Sequence, residues 1–307
     1  MPKSNQTSGS DLIPDDITTW FNARWDGNMG AIDGHDVRFI ASLLAEVKPK
    51  TIVEIGCASG LSTSMISMMQ SRQGPSTLHS FDFLDHFYAN PEKKLGYLLD
   101  ESGPSEGVDI QIHSKSNSLD VGAALNGTSI DFCFIDANHT HPWPTIDTLA
   151  VLPLMRPGSY IVHHDLRMFE GIQVDEYATG PKVLMDQAPR RKLIPFQSRV
   201  NTHKKTRMRT RQIDGNIFAI RIPRDISTMA KMLSRGFLIG WDRRPNAYLS
   251  PEFVQQFQSY LSEHYNPEIR KSFELGLARY NHQPTPRSTP RSPLRRILGK
   301  LKRMVSA

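Results

Sequence analysis

TIVEIGCASGLST, residues 51–63, joins a strand signal to a helix signal through a turn with two glycines. Its first half, Ile52-Val53-Glu54-Ile55, is a short run of the kind that forms a buried strand. It stops at Gly56, reaches a second glycine at Gly60, and continues into a segment of helical length over 61–71. Glycines between a strand and a helix let the backbone turn tightly. They also let a ligand approach bare main chain beside the helix N-terminus. The dinucleotide fingerprint G-x-G-x-x-G is absent, because Ala58 stands where its middle glycine would be. Glu54 is out of place in so apolar a strand. A carboxylate there could accept hydrogen bonds from a ligand's amine or from the loop's own amides.

Outward from this turn, strands and helices alternate. The pattern predicts strands over 51–56, 77–82, 109–113, 130–136 and 159–164. Between them it predicts helices over 61–71, about 91–100, 119–125 and about 144–154. A helix over about 35–47 precedes the first strand, with Val37, Ile40, Ala41, Leu44 and Val47 at helical spacing and Pro49 ending it. A shorter one covers Asp15 to Trp25. "GPKVLMDQ" reads as a further helix and "GNIFAIRIP", 215–223, as a late buried strand. Such alternation specifies an α/β fold. Residues 225–280 are helical in character, and "NHQPTPRSTPRSP", 281–293, is a linker unable to build a core.

The bulk numbers exclude several classes. The chain has 307 residues, 38% hydrophobic and 22% charged, and only two cysteines, Cys57 and Cys133. That rules out a disulfide framework or a zinc knuckle. Neither a membrane-spanning run nor an apolar signal core at the start is visible, so a cytoplasmic setting is expected. The net charge of +6 is local. Residues 284–307 carry seven basic side chains and no acid, which leaves residues 1–283 at −1. Nine more Lys and Arg, without an acid, fall between Arg190 and Arg211. The rest of the body is acidic, unlike a protein that coats nucleic acid.

"VEIGCASGLST" resembles the first motif of class I S-adenosylmethionine-dependent methyltransferases, in the form found in small-molecule O-methyltransferases of the methyltransferase-24 type. The resemblance continues in order: "LHSFDFLD" is similar to the family's second strand, "IDFCFIDANH" to its fourth, "LMRPGSYIVHHD" to its fifth with the preceding turn, and "GNIFAIRI" to its last. It covers roughly residues 30–223. It implies a Rossmann-like, doubly wound sheet of about seven strands, mostly parallel with an antiparallel last strand, followed by a C-terminal helical extension. The implied organisation is a leader and helix over 1–29, the methyltransferase domain over 30–223, the extension over 224–283, and a Pro/Arg linker with a basic tail over 284–307.

The resemblance also implies S-adenosylmethionine as cofactor. Glu54, Gly56 and Gly60 would contact its methionine part or brace the loop around it. Asp82, 22 residues beyond Gly60, would hold the ribose diol. Asn117 and Ser118 match the adenine side loosely, and Asp136 adjoins the same cleft. Cys57 and Cys133 would lie on neighbouring strands as small buried hydrophobes.

Asp136 and Asp165 end the fourth and fifth strands, so both should open into one cleft, with His139, His141, His163 and His164 nearby. Metal-dependent relatives carry an acidic or amide pair after strand five, where this chain has His164-Asp165. Asp136, His164 and Asp165 are therefore the candidate ligands for Mg2+ or another divalent ion. His139 and His164 are the candidate catalytic groups, His139 being the preferred base. His163 should point to the opposite sheet face.

The function expected is methylation of a hydroxyl on a small molecule such as a sugar, glycolipid or specialised metabolite. An RNA or protein methyltransferase, or a binding protein of the same fold without turnover, are the alternatives. Nucleic acid is disfavoured because "DANHTHPW" replaces the Asn/Asp-Pro-Pro-aromatic run of amino-methylating enzymes. In the tail, Leu294, Ile297, Leu298, Leu301, Met304 and Val305 share one helical face opposite Arg and Lys. Residues 292–305 are thus expected to touch an anionic membrane from the cytoplasmic side, or to dock on protein.

Overall fold

The apolar runs pair into one seven-stranded sheet: β1 (Thr51–Ile55), β2 (Ser76–Asp82), β3 (Val108–Ser114), β4 (Ile130–Ile135), β5 (Met155–His163), β6 (Lys192–Leu193) and β7 (Phe218–Arg221). This is a computed structural model that describes residues 13–25, 32–103, 105–166, 179–188, 192–200, 209–213, 216–242 and 249–282. The strand order is β3-β2-β1-β4-β5-β7-β6. Strands β1 to β5 are parallel, and β7 runs antiparallel to both neighbours. Order reverses between β1 and β4, which opens a crevice beyond their carboxyl ends.

Ten helices accompany the sheet among the described residues: α1 (Asp15–Arg24), α2 (Gly34–Val47), α3 (Leu61–Ser71), α4 (Leu99–Ser102), α5 (Val121–Leu125), α6 (Trp143–Val151), α7 (Gly180–Gln187), α8 (Ile226–Ser234), α9 (Pro251–His264) and α10 (Pro267–Asn281). Side chains alternate along each strand, so the sheet has two cores. Ile52, Leu78, Phe132, Phe134 and Val162 meet α1, α2 and α3 on one face. Val53, Ile55, Phe81, Cys133, Ile135 and Ile161 face α5 to α10 on the other. Ile17 and Phe21 of α1 belong to the first core, and Phe237, Phe257 and Phe273 of the extension belong to the second. Both flanking segments are therefore packed onto the sheet. No helix among the described residues is long and apolar enough to cross a membrane.

Three expectations need correction. The helix over about 91–100 is instead a hairpin, His86–Phe87 with Asn90–Lys94, followed by the single turn of α4. Pro91, the exposed Glu92-Lys93-Lys94 run and Gly96 at φ +66° give a helix no apolar face there and break its backbone. β5 begins at Met155, four residues earlier than expected, because Gly158 donates its N–H to the Ile222 carbonyl and draws the turn into the sheet. Cys57 lies beyond the end of β1, in the glycine turn, while Cys133 pairs with Val53 in the sheet. Both thiols are buried and free. The tail 292–305, and residues 190, 191 and 201–208 of the basic stretch between Arg190 and Arg211, lie outside the described residues.

Candidate active site

The glycine turn is set by close approaches of the chain to itself. Gly56 has φ +101°, and a Cβ there would stand 2.2 Å from the Asp136 carbonyl oxygen. Its N–H donates to Phe81 O, while the Asp136 N–H donates to Ile55 O, tying the ends of β2, β1 and β4 together. Gly60, at φ +84°, opens α3 and faces Gly96 with room for no Cβ, which would fall 2.9 Å from the Gly96 Cα. Gly96 and Leu98 donate to the carbonyls of Ala58 and Ser59, so residues 96–98 strap the outside of the turn. Gly60 serves that strap and does not line the cleft.

Glu54 is fully buried on the α3 face of β1. Its carboxyl accepts from Ser62 Oγ at 2.6 Å, Thr63 Oγ1 at 2.5 Å and Ser80 Oγ at 2.5 Å. It lies behind the cleft wall, so contact with a ligand amine gives way to bracing, by hydroxyls of α3 and β2 instead of loop amides. Burial, opposed by those three hydroxyls, pushes its acid up to about 7. Asp82 is the residue that takes the loop amides. Its Oδ2 accepts from Cys57 N and Ala58 N at 3.1 and 3.0 Å, and its Oδ1 from Leu84 N at 2.9 Å. A carboxylate has about four lone-pair positions, so three amides leave capacity for a ligand hydroxyl.

Above this turn lies a cleft of about 400 Å³, within the usual range of small-molecule sites. Gly56 to Ser59, Asp82, Asn117, Ser118, Asp136, His139 and Asp165 all line it. Asn117 Oδ1 accepts from Leu119 N, and Ser118 Oγ donates to Asp147. Residues the sequence pattern did not single out complete the walls: Ile32, Phe83, Phe87, Tyr88, Trp143 and Asp147. Phe87 and Tyr88 come from the hairpin that replaced the expected helix, which is why helical periodicity could not reveal them.

At the mouth, Asp136, His139 and Asp165 converge, with one potential ligand atom of each within 4.8 Å of the others. His139 Nε2 stands 3.0 Å from Asp165 Oδ2 and 3.6 Å from Asp136 Oδ1. Asp165 holds φ +56°, a left-handed conformation unusual for a non-glycine residue. Asn216 Nδ2 donates to its Oδ1 at 2.7 Å.

His164 is not part of that mouth. It is buried, its Nδ1 lies 3.2 Å from Asp136 Oδ1, and its Nε2 lies 3.0 Å from Asp36 Oδ2 on α2. Burial opposes its charge, but the carboxylates of Asp136, Asp36 and Asp165 outweigh that and hold its pKa well above the ordinary value. Asp36 shows the converse. Burial opposes its ionisation, yet the His164 contact keeps its pKa below the usual range. The expected ligand and catalytic roles of His164 are therefore corrected: both ring nitrogens are engaged, and His139 takes its place in the cluster. His163 points to the opposite face, 2.9 Å from Thr148 Oγ1 and stacked on Phe218, its pKa pushed down to about 3 by burial. His141 is buried against Gly236 O at 3.0 Å, away from the cleft, with its pKa pushed down to about 4. Of the four histidines, only His139 can meet a ligand.

Residues 53–166, which span the glycine turn, Asp82 and the Asp136/Asp165 mouth, match the model of a methyltransferase domain. The seven-stranded, mostly parallel sheet around them, with β7 antiparallel, is the one that the family resemblance implied. The fold is that of a class I methyltransferase. Among solved structures, this chain is similar to an O-methyltransferase from Bacillus cereus in complex with S-adenosylhomocysteine. The identity is 17%, over 71% of this chain and 93% of that one, with a TM-score of 0.43. It is similar at 16% identity to the O-methyltransferase TomG of Streptomyces achromogenes, involved in tomaymycin synthesis and bound to S-adenosylmethionine. That match covers 72% of this chain and 99% of the other, with a TM-score of 0.43. No protein of curated function matches the sequence.

Sequence patterning did not find Asp36 and Asn216, which steady the mouth of the cleft from α2 and from the approach to β7. Asp36 Oδ1 accepts from Asn216 N at 2.9 Å, so one carboxylate holds both His164 and the residue that holds Asp165. The local signal at Asp36 was only its capping box with Asp33 at the start of α2.

Proposed function

We propose that this protein transfers a methyl group from S-adenosylmethionine to a hydroxyl of a small molecule, with the acceptor oxygen activated at Asp136, His139 and Asp165. The convergence of those three side chains beside the glycine turn, in one cleft, is the observation that carries the proposal. When bound, S-adenosylmethionine supplies an electrophilic methyl on a sulfonium. Asp82 fits its ribose diol, since it lines the cleft, is fixed by three amides and keeps acceptor capacity. The apolar walls from Ile55, Phe81, Phe83 and Leu84 suit the base and exclude water from it.

The residues at the mouth also fit a divalent ion. Two carboxylates and one imidazole could hold it on one side and leave positions open to the cleft. The imidazole favours a borderline ion such as Mn2+, Fe2+ or Zn2+ over Mg2+, which prefers oxygen ligands. Such an ion would lower the pKa of an acceptor hydroxyl. The 3.0 Å contact of His139 with Asp165 supports a second reading without metal. There His139 takes the hydroxyl proton at Nε2 and the carboxylates stabilise the imidazolium. The size and apolar walls of the cleft favour a small acceptor over RNA or protein.

The test is incubation of the purified protein with isotopically labelled S-adenosylmethionine and a fractionated extract, with mass identification of the product. Label is expected on an oxygen of a small molecule. Loss of turnover in excess chelator, restored by Mn2+, supports the metal. Unchanged turnover assigns the proton to His139, and label found only in RNA or protein overturns the proposal.

A further inference from the structure

His79 on β2 and His113 on β3, the strand at one edge of the sheet, stand apart from every role given so far. Alternation puts Thr77, His79 and Phe81 on one face of β2, and Asp109, Gln111 and His113 on the same face of β3. Phe81 belongs to the core under α5 to α10, so both imidazoles lie on that side. The register sets His79 opposite Gln111 and Phe81 opposite His113, and the two rings meet on the diagonal. His79 Nδ1 lies 3.2 Å from His113 Nε2, with the ring planes 17° apart. The His113 ring also stacks on Phe81, their centroids 4.3 Å apart. Phe81 lines the cleft, whereas neither histidine does.

A hydrogen bond between two neutral imidazoles shares one proton between two nitrogens that are both good metal ligands. The separation also suits two ligands of one ion. Zinc–imidazole bonds are about 2.0–2.1 Å long, so nitrogens 3.2 Å apart subtend about 100–105° at the metal. That lies between the octahedral and tetrahedral angles. Burial holds both rings below the ordinary histidine pKa, and at His79 the neighbouring ring adds to it. Both are therefore neutral at pH 7, the form that ligates. His79 is buried and His113 half-buried, so the pair opens toward solvent from the β3 side. Asp109 on β3 is near enough for its charge to be felt at His79, and it supplies the negative field a cation needs.

We infer that His79 Nδ1 and His113 Nε2 form a binding site for one borderline divalent ion of the Zn2+, Ni2+ or Cu2+ class at the edge of the sheet. Imidazole selects such ions over Mg2+ and Ca2+, which prefer oxygen. On binding, the ring that holds the shared proton carries it on its far nitrogen instead. Both facing lone pairs then go to the ion, and no net proton is released. The cluster of three ligating side chains among the described residues is the one at the mouth, so water completes the shell here. The bound ion cross-links β3 to β2 beside Phe81. The site is independent of the methyl-transfer reading.

Zinc calorimetry on the untagged full chain tests this in a His139→Ala/Asp165→Ala background, which removes two of the three candidate ligands at the mouth. Saturable binding of zinc is expected there. Adding His113→Phe, which keeps a ring against Phe81 but removes a ligand, should weaken it about tenfold or more. No saturable binding, or an affinity unchanged by His113→Phe, overturns the assignment. Should the variants fail to fold, nuclear magnetic resonance of the unsubstituted protein with nitrogen-labelled histidine decides. Shifts of the His79 and His113 ring nitrogens on saturation with zinc support the site. Shifts confined to other histidines, or none, overturn it and leave the pair as a hydrogen bond that pins β3 to β2.

Discussion

Glu54→Gln is the perturbation that separates a buried brace from a charged ligand group. The Glu54 acid lies at about 7 in the folded protein, raised from 4.5 by burial, while three hydroxyls and the nearby Asp136 charge act as smaller influences. Below pH 4.5 the side chain is neutral in both folded and unfolded chains. As pH rises, the unfolded chain releases its proton near 4.5 and the folded chain keeps it until about 7. Stability contributed by this group is thus complete below pH 4.5 and lost as pH rises through 7. A displacement of that size, at about 1.4 kcal/mol per pH unit, corresponds to about 3 kcal/mol in all. Between pH 5 and 8 the part still available is about 2–3 kcal/mol. Glutamine keeps the volume and one acceptor but does not titrate. Urea unfolding of both proteins at four pH values over that range should show the advantage of the unsubstituted protein shrinking by that amount. A difference that stays constant, or that grows with pH, refutes the reasoning. It would mean that the Ser62, Thr63 and Ser80 hydroxyls stabilise an ionised carboxylate.

Gly56→Ala should cost more than about 3 kcal/mol and abolish binding of S-adenosylhomocysteine, because its Cβ falls 2.2 Å from Asp136 O at a backbone angle that disfavours any side chain. Gly74→Ala is the control: φ is +129° but nothing lies within 4 Å, so strain alone of about 1–2 kcal/mol is expected, and equal costs at both positions would remove the steric account. Phe253→Ala on α9 should destabilise by about 3–5 kcal/mol and weaken S-adenosylhomocysteine several-fold. The ring is buried and packs 4.9 Å from Trp143, a wall of the cleft. Calorimetry showing unchanged affinity in the folded variant would uncouple the helical extension from the site.

The sheet was legible because its signals are local. Each core strand is a short apolar run, and the turn shows itself by Gly56 and Gly60, although the ends of β2 and β4 and the 96–98 strap hold it in place. Glu54 was legible only as an anomaly. Two of its three hydroxyl partners, Ser62 and Thr63, sit in the same quoted stretch, but their aim depends on α3 lying over the α3 face of β1. The 86–94 hairpin was illegible because its exposed Glu92, Lys93 and Lys94 carry no burial pattern of either period. Yet it delivers Phe87 and Tyr88 to the cleft. Asp36 was illegible for a different reason. Its partners His164 and Asn216 are 128 and 180 residues away, and no local rule links a capping aspartate to a histidine at that range.

The four histidines show how burial sorts groups that look alike in sequence. His163 and His141 are buried without a carboxylate against the ring, and both are driven toward the neutral form. His164 is just as buried but lies between Asp36 and Asp136, and it is driven toward the charged form. A buried imidazolium is costly unless paired, so its charge is committed to holding those two carboxylates and is not free for proton transfer. That commitment offsets one negative charge of Asp36, Asp136 and Asp165. The mouth therefore keeps an excess of carboxylate beside His139, the only histidine among the described residues that lines the cleft. An edge built this way favours a cation, whether a sulfonium or a metal ion. The His164 ring faces inward to α2, and His139 is the one of these four histidines that lines the cleft.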